Sequence, residues 1–317
     1  MSIPINISGS RSSGILNLSQ YETQVSIFLK IMGKEYCNEN NYEYPEFNGN
    51  TATRFGSAFE TAILKQTEKH YKSKITDREK FFENDFLTCH VDGIMDDYLI
   101  EAKTTTFMSY KSGWGVPGTD QIPVIYQTQV QHNLYLSELE KCILPVLIFP
   151  KMQTEFEEMG IGIDNDFSMI DIEKWVSVLY EMGFLQFYEI KSNPELQSLM
   201  IKHYTDFWNN HILTGTPPEA RTYDDIKKLV REPVGTIVAT PEIEDLMSEY
   251  KNIKSEISSS GELAKRADMI KVEILKYMSE TGVVIDEDSQ DKFILRDQSG
   301  KKIASYGKTK KGVYVFR

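Results

Sequence analysis

The chain has 317 residues, 40% of them apolar, which suffices for one large core with an appendage or for two domains. Its formal net charge of −12 rules out binding a polyanion by bulk charge and leaves local basic patches as the only route. No apolar run is long enough to span a bilayer and no basic-then-apolar leader opens the chain. The three cysteines, Cys37, Cys89 and Cys142, lack paired metal-ligand spacing and fit a reducing cytoplasm better than a disulfide scaffold.

In chain order, the first patterned segment is the Ser- and Gly-rich run from Ile7 to Leu16, with Arg11 at its centre, followed by Leu18–Thr23. Arg54–Glu60 leads into a predicted helix through Leu64, on which Gly56, Glu60 and Leu64 share one side. Cys89–Lys103 then reads as a tight hairpin with its turn at Asp96-Asp97. That turn sets Met95 opposite Tyr98, Gly93 opposite Ile100 and Asp92 opposite Glu101, at about 4.5–5.5 Å between Cβ atoms. Strand alternation puts Lys103 on the Glu101 face and turns Ile100 and Ala102 away.

Two carboxylates so close repel each other when bare, and a hard divalent cation removes the conflict. With Lys103 beside them, the group suits a metal ion and a phosphodiester, and cleavage of nucleic acid is the leading reading. Spacing alone does not settle this, since a solvated surface hairpin can also carry D-x₈-E-x-K.

Thr104–Thr119 is predicted as a Gly- and Pro-broken loop, with Trp114 either packing it down or stacking on a nucleotide. Pro123 opens a helix through Leu136 that carries Gln127, Gln129 and Gln131; alternate positions cannot all share one helix face, so at least one of the three is solvated or structural. Strands are expected over 142–149, where Pro145 suggests an edge or bulge, and over 156–163. Helices follow over 169–188 and 195–213. Thr214–Glu219 reads as a boundary, giving domains 1–218 and 219–317. The second carries a helical hairpin (241–257 and 262–280) and short strands near 283–285, 292–295 and 313–316. Residues 292–317 hold eight Lys or Arg residues against Asp297 alone. Tyr306, Lys308, Lys310 and Lys311 fit phosphate contact better than base reading.

The ordered set Glu60, Asp92-Gly93, Glu101-x-Lys103 and Tyr126-x-x-Gln129-x-Gln131 resembles the YqaJ-like viral recombinase and phage lambda-type exonuclease family of the PD-(D/E)XK nuclease superfamily, over residues 7–218. The resemblance implies an α/β (α+β) core, with a mixed central sheet flanked by helices. It makes Glu60, Asp92, Glu101, Lys103 and Gln129 the catalytic set. Asp92, Glu101, the Ala102 carbonyl and Glu60 would hold Mg²⁺, with Mn²⁺ able to substitute. Ser10, Arg11, Arg54, Trp114, Tyr126 and Gln131, with the C-terminal lysines, become the expected DNA contacts. Arg11 and Arg54 compete for a terminal phosphate, since the family's usual Trp and Arg before the Ser-rich loop have no match.

The implied activity is 5′-to-3′ exonucleolytic digestion of linear double-stranded DNA, leaving 3′ overhangs for a single-strand-annealing recombinase. A homo-oligomer, in the family a toroidal trimer, and a cytoplasmic bacterial or phage setting without a membrane go with it. A structure-selective or restriction-type endonuclease with the same metal site, and an inactive DNA-binding or assembly protein, are the alternatives.

Overall fold

A computed structural model describes residues 6–46, 49–149, 172–230, 233–256, 261–285, 289 and 291–317. The chain forms two compact units, one holding Ile5–Glu22 and Glu46–Trp208, the other Thr23–Pro45 and Asn209–Arg317. The Gly- and Pro-rich segment 214–219 thus lies inside the second unit, a few residues past the crossing at 208–209.

The first unit opens with strand β1 (Ile7–Ser8) and the short helix α1 (Ser12–Ile15). Helix α2 (Gln24–Glu39) belongs to the second unit, and α3 (Thr51–Tyr71) returns to the first. Asn50 and Thr53 start α3 with reciprocal side-chain-to-backbone bonds, so two N–H groups that no helical carbonyl can reach are satisfied. Strands β2 (Lys80–Asn84) and β3 (Leu87–Val91) form a hairpin that β1 joins in parallel. The chain bends at Asp92 and enters a second sheet with β4 (Gly93–Met95), β5 (Tyr98–Ile100) and β6 (Lys103–Thr106).

Helices α4 (Phe107–Gly113) and α5 (Val124–Ser137) lead to β7 (Lys141–Phe149), buried from Cys142 onward. Helix α6 (Ile172–Glu181), β8 (Leu185–Lys191) and α7 (Pro194–Phe207) complete the unit. β7 is the centre of the second sheet. β5 and then β6 run parallel along one side of it, β8 runs antiparallel along the other, and β4 lies outside β5. Alternation along β7 sends Cys142, Leu144, Val146 and Ile148 to a core with Val130 and Leu134 of α5. Leu147 and Phe149 go to a core with Phe55, Phe59 and Ile63 of α3 and Val176 and Leu179 of α6. This is the mixed, helix-flanked sheet expected from the resemblance.

Three expectations change. Pro145 does not mark an edge: β5 pairs residues 141–143 of β7 and β6 pairs 146–149, so the residue without an N–H falls opposite the break between them. The helix expected over 169–188 ends near Gly183, at φ 79°, and Leu185–Lys191 becomes a strand because β7 offers it a full ladder. The loop expected over 104–119 is β6 and α4 as far as Gly113, the Thr106 side chain capping α4. The expected strand over 156–163 lies outside the described residues.

In the second unit, α2 is followed by α8 (Tyr223–Leu229), β9 (Gly235–Val238), α9 (Pro241–Glu256) and α10 (Gly261–Glu280). Strands β10 (Lys292–Arg296), β11 (Lys302–Lys308) and β12 (Tyr314–Phe316) end the chain. Their sheet has the order β12-β11-β10-β9, and 283–285 contributes only a single bridge from Val284 to Thr236. Ile270, Ile274 and Met278 of α10 pack against it.

Long-range bonds explain why the N-terminal α2 belongs here. Thr23 Oγ1 donates to Asp225 at 2.5 Å, Tyr36 Oη to the Gly215 carbonyl at 2.6 Å and Glu43 N–H to the Lys228 carbonyl at 2.8 Å. Among the described residues, no helix is long and apolar enough to cross a membrane.

Candidate active site

The hairpin forms in the predicted register: Met95 pairs with Tyr98, Ile94 with Leu99 and Gly93 with Ile100. Asp96 turns the corner at φ 55°, a conformation a short polar residue tolerates. Asp92 stands one residue before β4, at the bend where the chain passes from one sheet to the other. Gly93 is obligatory there, because an added Cβ would stand 2.2 Å from Ile75 Cγ2. Glu101 and Ala102 occupy the break between β5 and β6. The Ala102 N–H, without a ladder partner, donates to Asp92 Oδ2 at 2.7 Å, and the Glu101 N–H to the Ile143 carbonyl at 3.2 Å.

Glu101 is 3% exposed and its two oxygens take three donors. Lys103 Nζ reaches Oε1 at 2.6 Å and Gln129 Nε2 the same oxygen at 2.7 Å, while Asn133 Nδ2 reaches Oε2 at 3.0 Å. Tyr126, Gln129 and Asn133 recur at three- and four-residue intervals, so they line one face of α5. The Tyr126 ring lies 5.4 Å from Lys103 Nζ, within cation–π range.

Burial is the main cause that pushes the Asp92 carboxyl up, to about 8, followed by the charge of Glu101; Lys103 opposes both. Glu60 is also raised, first by burial and then by Glu101 and Glu79, against Lys103 and Arg78. Glu60 therefore lies within electrostatic reach of Glu101, on α3. Burial alone would lower the Lys103 ammonium, but Glu101 and Asp92 outweigh it and the net direction is upward.

Of the three glutamines, only Gln129 faces Glu101. Gln127 is half-buried and donates to the Asp120 carbonyl at 3.0 Å. Gln131, expected to contact DNA, is 2% exposed. Its amide donates to the Lys191 carbonyl at 2.8 Å and accepts from Asn193 N–H at 2.9 Å and from Gln197 Nε2 at 3.1 Å. Two residues from Gln129, it points to the opposite side of the helix and ties α5 to the end of β8, so its role is structural. Trp114 packs between Tyr126 (5.3 Å between ring centres) and Tyr188 (5.2 Å), the structural one of its two expected roles.

Among the other expected DNA contacts, Ser10 is exposed with its hydroxyl 3.1 Å from that of Ser8, and half-buried Arg11 donates to the Asn6 carbonyl at 2.9 Å. Arg54 is exposed on the first turn of α3. Lys308, Lys310 and Lys311 are exposed in the second unit, around the β11–β12 turn. Tyr306, expected at the phosphate, is fully buried in that unit's core. Asn133 was not anticipated, though its four-residue step from Gln129 is the signal that finds it.

Among the described residues, no group of three or more His, Cys, Asp or Glu is gathered at metal-ligand spacing. The donor chemistry of the Asp92–Glu101 pair nevertheless fits a hard divalent cation. Mg²⁺ commonly takes only one or two protein carboxylates, and the Asp92 carboxyl is raised first by burial and then by the Glu101 charge, with Lys103 opposing both.

Residues 4–140 match the model of the YqaJ-like viral recombinase domain. The uncharacterized protein YqaJ of Bacillus subtilis (strain 168) is 25% identical over 273 residues, 83% of this chain and 72% of that protein. Two solved structures are also similar. The alkaline exonuclease LHK-Exo from Laribacter hongkongensis is 12% identical, covering 66% of this chain and 89% of its own, with a TM-score of 0.43. A phage-related exonuclease from Haemophilus somnus 129PT is 14% identical, covering 67% and 96%, with a TM-score of 0.43.

Proposed function

We propose that this chain, whose residues 4–140 match the model of the YqaJ-like viral recombinase domain, is a divalent-metal-dependent DNA exonuclease. The observation that carries the reading is the buried Glu101 carboxylate, held by Lys103, Gln129 and Asn133 beside the charge-strained Asp92. A surface hairpin with solvated charges needs none of these bonds.

Asp92 and Glu101, with the Ala102 carbonyl and Glu60 as further donors, would hold Mg²⁺ or Mn²⁺, which when bound polarises the phosphoryl group and acidifies the attacking water. Lys103, raised by its carboxylate neighbours, is an ammonium in the metal-free site and serves as a donor to a phosphate oxygen or a water rather than as a base. Gln129 holds Glu101 through its NH₂ group and presents its carbonyl oxygen to orient a water. Tyr126 keeps Lys103 over its ring and so limits where the ammonium can swing. Ser10, Arg11 and Arg54 are the proposed backbone contacts near the DNA end, and Lys308, Lys310 and Lys311 those of residues 219–317, the proposed assembly or DNA-gripping module.

In the full reading, linear duplex DNA is digested from the 5′ end, a single-strand-annealing protein uses the 3′ overhang, and the enzyme works as a ring-forming oligomer. One time course tests this, with 5′-labelled, 3′-labelled, blunt, recessed and circular DNA in Mg²⁺ and in EDTA, on the parent and on Glu101→Ala. Mononucleotide release from the 5′ label alone, lost in EDTA and in the variant, is the expected result. Cutting of closed circles would replace the reading with an endonuclease. Undiminished hydrolysis by Glu101→Ala would remove the site altogether.

A further inference from the structure

Asn133 is 1% exposed, and its carboxamide is used on one side only. Nδ2 donates to Glu101 Oε2 at 3.0 Å, while Oδ1 is buried with no hydrogen-bond partner among the described residues. A carboxylate accepts and never donates, so the NH₂ group must face Glu101 and the carbonyl must face away. What it faces is the N-terminal segment: a Cβ built on Gly9 would lie 2.4 Å from Asn133 Oδ1 and 3.3 Å from both Gln129 Cγ and His132 Cδ2. Any residue but glycine at position 9 would push the Asn133 carbonyl, and with it the NH₂ group that holds Glu101.

We propose that Asn133 is a positioning residue for Glu101, and that the bare backbone of Gly9 sets the Asn133 carboxamide, so that the N-terminal Ser-rich segment fixes the carboxylate in the site. The inference rests on the proposed metal-dependent nuclease reading. It assigns the Oε2 side of Glu101 to Asn133, as the Oε1 side falls to Gln129 and Lys103. Leaving a buried acceptor unmade has a cost, ordinarily avoided in a packed core. Here the cost is consistent with a side chain whose orientation is dictated by the carboxylate rather than by its own satisfaction.

The test is a double-mutant cycle on the full chain with Asn133→Ala, Gly9→Ala and the pair. It reads Mn²⁺ affinity by titration without DNA, kcat and KM on linear duplex, and thermal unfolding. Loss of an outer partner to a metal-ligating group ordinarily costs about 10–100-fold in affinity or activity. Asn133→Ala should weaken Mn²⁺ binding and lower kcat by about that factor, with KM for DNA unchanged. Gly9→Ala should give the same signature, with little change in melting temperature, because only the end of a side chain has to move.

In the Asn133→Ala background, Gly9→Ala should add far less than it costs alone, since its closest approach, to the Asn133 carbonyl, is gone and only the looser contact with Gln129 remains. Asn133→Gln, whose longer carboxamide still offers an NH₂ group, should restore part of the Mn²⁺ affinity. A parent that binds Mn²⁺ and cuts DNA, with Asn133→Ala folded and its Mn²⁺ affinity intact, would overturn this inference alone. So would fully additive losses in the double variant. A parent that neither binds Mn²⁺ nor cuts DNA would overturn both this and the nuclease reading.

Discussion

Replacing Asp92 by Asn should make the metal-free protein more stable while ending hydrolysis. Asn keeps an oxygen for the Ala102 N–H bond, made at 2.7 Å in the parent, and removes only the charge. In the folded parent, burial first and Glu101 second lift the Asp92 carboxyl from its ordinary 3.8 to about 8. The folded pKa lies above the unfolded one, so the folded state holds a proton that the unfolded chain releases. Below pH 4 both states are protonated and the two proteins should be equally stable. From pH 4 to 8 the parent loses stability at up to ~1.4 kcal/mol per pH unit, and above pH 8 the penalty levels off.

At pH 7 about three pH units have been crossed, which gives ~4 kcal/mol, or ~2–4 kcal/mol once solvent access to this partly buried group is allowed for. Trp114, Trp175 and Trp208 all lie in the first unit, so tryptophan fluorescence in urea reports that unit's unfolding. In EDTA the gap between Asp92→Asn and the parent should widen from pH 5 to pH 8. Added Mg²⁺ should stabilise the parent and not the variant. A gap that stays flat with pH, or a variant less stable than the parent at pH 8, would refute the account of Asp92 as a carboxyl whose ionisation burial and Glu101 oppose until a cation binds.

Four further outcomes follow from the structure. Gly93→Ala, whose Cβ would meet Ile75 Cγ2 at 2.2 Å, should destabilise the first unit by about 1–3 kcal/mol in the same urea titration. Gln131→Ala should cost about 1–3 kcal/mol of stability by stripping the partners of Lys191, Asn193 and Gln197, with activity per folded molecule unchanged. Gln129→Ala should do the reverse, lowering kcat about 10²-fold with little change in the melt. Asp225→Ala, which removes a buried acceptor of bonds from Thr23, Arg221 and Thr222, should lower the calorimetric stability of the second unit by about 2–4 kcal/mol. Equal melts for Gln129→Ala and Gln131→Ala would contradict the division of labour between the two glutamines.

That division marks the limit of what was legible in the chain. The motif order named Gln129 and Gln131 together, and helical geometry alone said only that the three glutamines could not all share a face. Which of them turned toward Glu101 depended on where β8 and α7 lay behind α5, and nothing local encodes that. For the same reason the sequence shows the spacing of Asn133 from Gln129 but not its target. The sequence leaves Trp114 two roles, and its packing against Tyr126 and Tyr188 is a tertiary contact that no local pattern encodes. Leu185–Tyr188 reads as helix because its apolar spacing suits both periods, and a ladder on β7 decides for a strand over Leu185–Lys191.

The sequence by itself determined the hairpin: its turn at Asp96-Asp97, the facing of Gly93 with Ile100, and hence Asp92 set against Glu101 with Lys103 on the same face. It also determined the helix that carries Glu60 and the helical hairpin of the second unit. These are short-range matters, governed by φ preference, side-chain alternation and the reach of one turn of helix. Only the tertiary structure decided that α2 joins the C-terminal half through Asp225, that Gly9 comes against α5, and that Glu101 is gripped from three sides. Each of those depends on contacts between residues far apart in the chain, where packing overrides any local preference.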